Sequence, residues 1–254
     1  MAVITLCSAA GAPGVTTSTV GLAMCWPRPV LILEADPRGS SGLLAGFLGG
    51  MREYETGLVE LALSPLDTSD ALRDAVRPLT GDVSFVAGTR SHTQATGLND
   101  LWGPLAEALA DLEKTGTDVL IDAGPLGFPG SPEPLLTLVD LTLIVTRTHL
   151  PAVVAARSWT EAMRMSSPTW QQPGLLLVGE GQPYTAKEVT KVLDLPVVAS
   201  ITDDPDSAAV YHRAETPPRK FTTSPFIRSL HAGADAIGHM VTKRREDLLR
   251  EVAP

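Results

Sequence analysis

Cysteine is nearly absent from this chain. Only Cys7 and Cys25 occur in 254 residues, with no pairing pattern and no metal-ligand spacing, so both are read as packing residues of a protein in a reducing compartment. No uninterrupted apolar run reaches the ~18 residues of a membrane-spanning helix. Neither Lys nor Arg precedes Arg28, and Gly11, Pro13 and Gly14 interrupt the apolar start, which makes a poor secretory signal. The expected location is therefore cytoplasmic, with no integral membrane segment. Internal repeats and low-complexity stretches are also missing. The five histidines, His92, His149, His212, His231 and His239, show no metal-ligand spacing and no Ser/His/Asp set is identifiable, so no covalent catalysis is assigned.

An excess of positive charge is missing too. The 20 basic and 29 acidic side chains give a net charge of -9, which opposes indiscriminate attraction to nucleic acid or anionic lipid. Residues 1–200 carry 12 basic and 21 acidic side chains, whereas residues 201–254 carry 8 of each. That last quarter holds two small basic clusters, Arg213 with Arg219 and Lys220, and Lys243-Arg244-Arg245. The second is neutralised by Glu246, Asp247 and Glu251 and reads as a solvated helix end beside a favourable dipole. Nonspecific DNA binding is thus open but not favoured. Leu248, Leu249 and Val252 offer too little apolar surface for a lone membrane anchor.

What is present is a large core. With 44% apolar residues, the chain is expected to fold as one domain over residues 1–254. Apolar runs at 2–7, 30–33, 82–87, 119–121, 141–145, 175–178 and 197–201 read as strands. Helix-compatible patterns cover 15–25, 57–63, 69–76, 98–114 and 225–250, and 128–134 reads as a Pro/Gly-rich surface loop. Continuous apolar strands alternating with helices predict a doubly wound α/β fold, a mostly parallel sheet with helices on both faces. Ligands of such sheets collect beyond the C-terminal strand ends, where the charged and turn-forming residues of this chain fall.

The first of those ends is the most informative. Ser8-Ala-Ala-Gly-Ala-Pro-Gly-Val-Thr-Thr-Ser18 leaves the first strand and opens the first helix, a context in which backbone N–H groups and the helix dipole make an anion site. The segment resembles the deviant Walker A loop of the ParA/MinD family, Lys-Gly-Gly-x-Gly-Lys-Thr/Ser-Thr. Gly11, Gly14, Thr16 and Thr17 match. Ala12 replaces a glycine, Ala10 stands at the signature-lysine position and Val15 at the phosphate-lysine position. Further matches cover nearly the whole chain. Glu34-Ala-Asp36-Pro-Arg38-Gly resembles the family's Asp-x-Asp-Pro-Gln-Gly, and Asp118-Val-Leu-Ile-Asp122-Ala-Gly-Pro resembles its Walker B strand and switch. The stretch from Val197 to Pro205, with Ala208 and Ala209, resembles the segment that flanks the nucleotide base.

The resemblance implies a P-loop fold with the phosphate side of a nucleotide site formed by Gly11, Ala12, Gly14, Val15, Thr16, Thr17, Arg38 and Asp122. It implies Thr16, Asp36 and Asp122 as the residues facing Mg2+, and Asp36 as the aspartate that orients attacking water, here weak or vestigial. A charge-assisted contact of the kind a P-loop lysine makes is worth roughly 1.5–3 kcal/mol; Val15 supplies none. Arg38 and Arg147 are read either as compensating cations or as solvated arginines. Gly179 stands where many relatives carry an adenine-recognising asparagine. ATP or ADP with Mg2+ is accordingly expected to bind weakly or not at all, and hydrolysis to be very slow. The implied function is a dimeric pseudo-ATPase that positions or scaffolds a protein partner in a pilus, secretion or division machine, similar to the TadZ-like members. Two alternatives stay open: a slowly hydrolysing ParA-like ATPase whose site is rebuilt around Thr16, Thr17, Asp36 and an arginine, and a metabolic ligase on the same fold. In a family-like homodimer the loops 37–42 and 124–134 line the shared face, with Leu43, Leu126 and Phe128 either as apolar contacts across it or as packing within the monomer.

Overall fold

A computed structural model describes residues 2–112, 116–165, 170 and 172–252. Its strands are β1 (Val3–Ser8), β2 (Val30–Glu34), β3 (Arg77–Thr80), β4 (Val83–Val86), β5 (Asp118–Pro125), β6 (Leu141–Arg147), β7 (Pro173–Val178) and β8 (Val197–Ile201). They form one sheet in the order β3-β4-β2-β5-β1-β6-β7-β8. Every neighbouring pair is parallel except β3 with β4. The central strands β1, β2 and β5 are buried at every position, the signature of a sheet covered on both faces.

The helices are α1 (Val15–Met24), α2 (Leu58–Ala62), α3 (Thr68–Ala75), α4 (His92–Ala95), α5 (Trp102–Asp111), α6 (Glu133–Thr137), α7 (Leu150–Met165), α8 (Ala186–Leu193), α9 (Pro205–His212) and α10 (Pro225–Val252). The period-2 alternation of strand side chains divides the core between the two faces. Ile4, Leu6, Ile32, Leu120, Leu143 and Leu176 pack with Leu22 of α1, Tyr211 of α9 and Leu230 of α10. On the opposite face Val3, Leu31, Leu33, Val119 and Ile121 meet α2, α3 and α5, while Cys7, Ile144, Leu175 and Leu177 meet α7 and α8. Both cysteines are free and buried.

The predicted strands are present, and most extend one or more residues further than their apolar runs. Several features differ from the sequence reading: helices α4, α6, α7 and α8 are not assigned there, and α6 begins at Glu133 within the segment read as a surface loop. Arg77–Thr80 forms β3, a strand with no apolar run to announce it; as the antiparallel edge of the sheet it tolerates Pro78, which has no N–H to give. The helix expected from residue 98 starts instead at Trp102, after α4 and the 3-10 turn Thr96–Leu98; its expected end at Lys114 lies outside the described residues.

Asp118 ties the N-terminal edge of the sheet together. Fully buried, it accepts from the Ala2 backbone N–H at 2.6 Å, Trp26 Nε1 at 2.7 Å and Arg28 Nη2 at 2.7 Å. The opposite edge carries the ligand-binding potential. β1 lies between β5 and β6, and the chain runs from β1 to β2 on one side and later to β6 on the other. The loop after β1 therefore opens at the point where the connections diverge, the usual place for a ligand in an open α/β sheet.

Candidate functional site

Small residues let the chain leave β1 sharply. Gly11 has φ +71° and Gly14 φ +99°, conformations L side chains rarely adopt, and a Cβ on Gly11 would meet nothing within 4 Å. Gly14 caps α1 without a side-chain hydrogen bond, so no side chain competes for the N–H groups of its first turn. The helix itself starts with Ser18 N–H donating to Gly14 O at 2.8 Å. This is a concave backbone turn with a helix N-terminus behind it, a geometry suited to a phosphate or sulfate group.

The cation such a loop would use is missing. Ala10 is exposed, and Val15 is only 7% exposed, packed in the core while edging the cavity above the loop. No lysine precedes Lys114 in the sequence. The cavity, about 420 Å3, is walled by residues 11–18 on one side and by Thr202, Asp203, Asp204, Pro205 and Ala208 on the other, with Arg38 and Arg147 at its edge. Both arginines are already engaged. Arg147 Nη1 donates to Asp203 Oδ2 at 2.6 Å. Arg38 donates to Asp36 through Nε, at 3.1 Å from each carboxylate oxygen, through Nη2 at 2.5 Å, and through its backbone N–H at 2.9 Å.

Beneath Arg38 a second, polar cavity of about 340 Å3 is bounded by Thr16, Glu34, Asp36, Gly42 and Asp122. Thr16 Oγ1 donates to Asp122 Oδ2 at 2.5 Å, and Gly124 N–H donates to Asp122 Oδ1 at 3.1 Å. Asp122 is 2% exposed; burial, reinforced by the neighbouring Asp36 charge, pushes its carboxyl up to about 6 against the Thr16 hydrogen bond. Glu34, paired in register with Asp122 across β2 and β5, is spent on structure. It accepts from Ser41 Oγ, from Leu43 N–H at 2.8 Å and from Gly88 N–H at 3.3 Å, holding the π-helical turn Leu43–Phe47. Burial pushes its carboxyl up to about 7.

The structure places the residues expected around a phosphate and its metal close together: Gly11, Ala12, Gly14, Val15, Thr16, Thr17 and Arg38 around the loop cavity, and Thr16, Asp36, Arg38 and Asp122 around the polar one. Asp203 lies in the stretch 197–205 already marked in the sequence, but its pairing with Arg147 was missed, because nothing in the sequence links two positions 56 apart. Gly179 packs against Asp203, its absent Cβ falling 3.1 Å from that residue's Cβ. Two expected interface residues are corrected: Leu43 and Leu126 are buried in this chain's own core, Leu43 because it opens the π-helical turn that Glu34 holds and Leu126 because its N–H donates to Ser8 O at the end of β1. Phe128 is 47% exposed.

No protein-family model and no curated protein matches the sequence. Solved structures do match the fold. The cell division ATPase MinD of Pyrococcus furiosus superposes with a TM-score of 0.73 at 17% identity, over 94% of this chain and 99% of that one. A ParA family ATPase from Chlorobium tepidum gives 0.72 at 15% identity, over 92% and 98%. The septum site-determining protein MinD of Pyrococcus horikoshii, complexed with Mg-ADP, gives 0.70 at 17% identity, over 93% and 95%. The chain shares the MinD/ParA fold along almost its whole length.

Proposed function

We propose that this protein is a ParA/MinD-like pseudo-ATPase, a dimeric scaffold that positions a partner machine within the cell without turning over ATP. One observation carries the reading. Val15 lies in the core at the position where a P-loop would place its lysine, and the two arginines at the cavity's edge are held by Asp36 and Asp203.

The residues fit part of a magnesium nucleotide. The backbone of Gly11, Ala12 and Gly14 suits a phosphate group, and Thr16 with Asp122, hydroxyl against carboxylate, suits a hard divalent cation. Bound there, the ion would offset phosphate charge. Nothing in the loop itself offers the further positive charge that phosphoryl transfer draws on, and while no cation is bound Asp36 is paired with Arg38 rather than turned to water. Weak binding of ADP or ATP with Mg2+, without turnover, follows from that balance.

Positioning is the theme of the structural neighbours: cell division, septum-site determination and plasmid partition. A scaffold of this type needs a face for a second copy, and the exposed Phe128 and Pro129, in the groove that Arg38 also borders, supply apolar surface there. DNA is the less favoured partner. Arg245, part of one basic cluster, is committed to Asp140 at 2.9 and 3.0 Å, and the net charge is -9. Among the described residues no helix is long and apolar enough to cross a membrane.

The position of Arg38, shared by both cavities, favours one alternative, a slowly hydrolysing ATPase whose site is rebuilt around this arginine. Turnover assays with Mg-ATP, combined with light scattering with and without nucleotide, separate the two. The expected result is no ATPase activity and self-association that does not depend on ATP. Turnover abolished by Asp36→Ala, or a monomer that dimerises only when ATP is added, would establish the alternative instead.

A further inference from the structure

Three concavities meet at Arg38: the loop cavity, the polar cavity with Asp36 and Asp122, and the apolar groove beside Phe128. Its guanidinium holds both Asp36 oxygens, yet its side chain is 49% exposed against 15% for Asp36.

The two partners differ in freedom. Asp36 is pinned against Gly124, where a Cβ would fall 2.4 Å from the Asp36 carboxyl carbon. The Arg38 backbone is held as well, between buried Pro37 and buried Gly39, where a Cβ would fall 2.2 Å from the Ser91 backbone, but its long side chain is half exposed and has room to swing. It is the arginine that can move. What keeps it in place is charge. Asp36 and the buried Asp122 border the same cavity, and taking the guanidinium away would leave neighbouring, poorly solvated carboxylates uncompensated, a costly arrangement. A divalent cation beside Thr16, Asp122 and Asp36 would compensate them equally well and release the arginine.

We propose that Arg38 is a two-position counter-ion: it neutralises Asp36 while the loop holds no anion, and turns to a phosphate group in the loop once a divalent cation replaces it at Asp36 and Asp122. The inference rests on the reading that the loop accepts a phosphate group. It explains how a P-loop without lysine keeps a conditional cation, and it makes cation and oxyanion binding mutually reinforcing. Because Arg38 also borders the Phe128 groove, its move alters that groove's wall.

Calorimetric titration of ADP into the full chain, in EDTA and in Mg2+, tests this. In EDTA the wild type binds ADP weakly. Asp36→Asn, which frees Arg38 without a metal, binds ADP about tenfold or more tightly in EDTA, the scale of one charge-assisted contact. The double variant Asp36→Asn/Arg38→Ala loses that gain, and Arg38→Ala alone weakens ADP binding in Mg2+. The Arg38 Nε–H resonance, followed by nuclear magnetic resonance, shifts on adding ADP with Mg2+ and not with Mg2+-free ADP. Circular dichroism checks that each variant is folded. If the gain persists in the double variant, removal of the Asp36 charge accounts for it and the two-position arginine is wrong. If no folded variant binds ADP under either condition, the phosphate reading of the loop fails and this inference fails with it, whereas the absence of turnover is judged separately by the ATPase assay.

Discussion

Gly124 and Asp36 are in such close contact that a Cβ on the glycine would fall 2.4 Å from the aspartate carboxyl carbon, and Gly124 has φ +62°. Both facts demand glycine. Gly124→Ala is expected to cost roughly 1–3 kcal/mol through the left-handed backbone alone, with the clash in addition. Gly11→Ala has a similar φ, +71°, but meets nothing within 4 Å. Urea unfolding of the two variants should therefore rank Gly124→Ala as clearly the more damaging. Equal midpoints would mean that Asp36 is not packed as described.

Stability should depend on pH through two buried carboxyls. Glu34 is raised from 4.5 to about 7 and Asp122 from 3.8 to about 6, in both cases chiefly by burial. The folded state holds these protons more tightly than the unfolded chain, so their contribution is fully present below about 4 and is lost as pH rises through about 7. Asp204, whose carboxyl is held below its usual range by Ser207, acts in the opposite sense at lower pH. Urea midpoints measured from pH 4.5 to 8 should fall across that window, by an amount on the order of a few kcal/mol. Glu34→Gln should flatten the upper part of the profile. A midpoint that rises from pH 4.5 to 7 contradicts the assignment.

A lysine placed at position 15 should raise nucleotide affinity. Val15 packs in the core yet edges the loop cavity, so in Val15→Lys the methylenes can keep the apolar contacts while the ammonium reaches the cavity. Mg-ADP should then bind about tenfold or more tightly by calorimetry. Unchanged affinity in a folded variant would mean that something other than the missing lysine limits binding.

Asp118 should matter for folding and not for the site. It is buried at the sheet's other edge and holds three donors, from Ala2, Trp26 and Arg28. Asp118→Ala leaves the Ala2 and Trp26 donors without their acceptor and is expected to cost about 1–3 kcal/mol for a buried donor left unsatisfied, the half-exposed Arg28 being able to turn to water. Denaturant titration measures this, and ADP affinity below the melting transition should stay at the wild-type value. A variant as stable as wild type would remove the stapling role.

The sequence alone determined the sheet and the place of the site. Runs such as 30–33, apolar up to the charged turn that begins at Glu34, suit burial on both faces, and small residues such as Gly11 and Gly14 after a strand leave the backbone free to take the left-handed turns that open α1. Hydrophobic periodicity and backbone sterics are local, so they are legible in one dimension. The edge strand β3 was not, because Arg77–Thr80 becomes a strand only by pairing with β4. The state of the charges likewise belonged to the tertiary structure. Arg38 next to Asp36 was visible as two nearby letters, but whether it faces water, a phosphate or its neighbour depends on how Gly124 pins Asp36 from another strand. Arg147 and Asp203 meet across 56 positions, and Glu34, at the position of a family aspartate, becomes a structural clasp only because Ser41, Leu43 and Gly88 converge on it. Electrostatic pairing is set by distance and desolvation in three dimensions, which no spacing along the chain encodes.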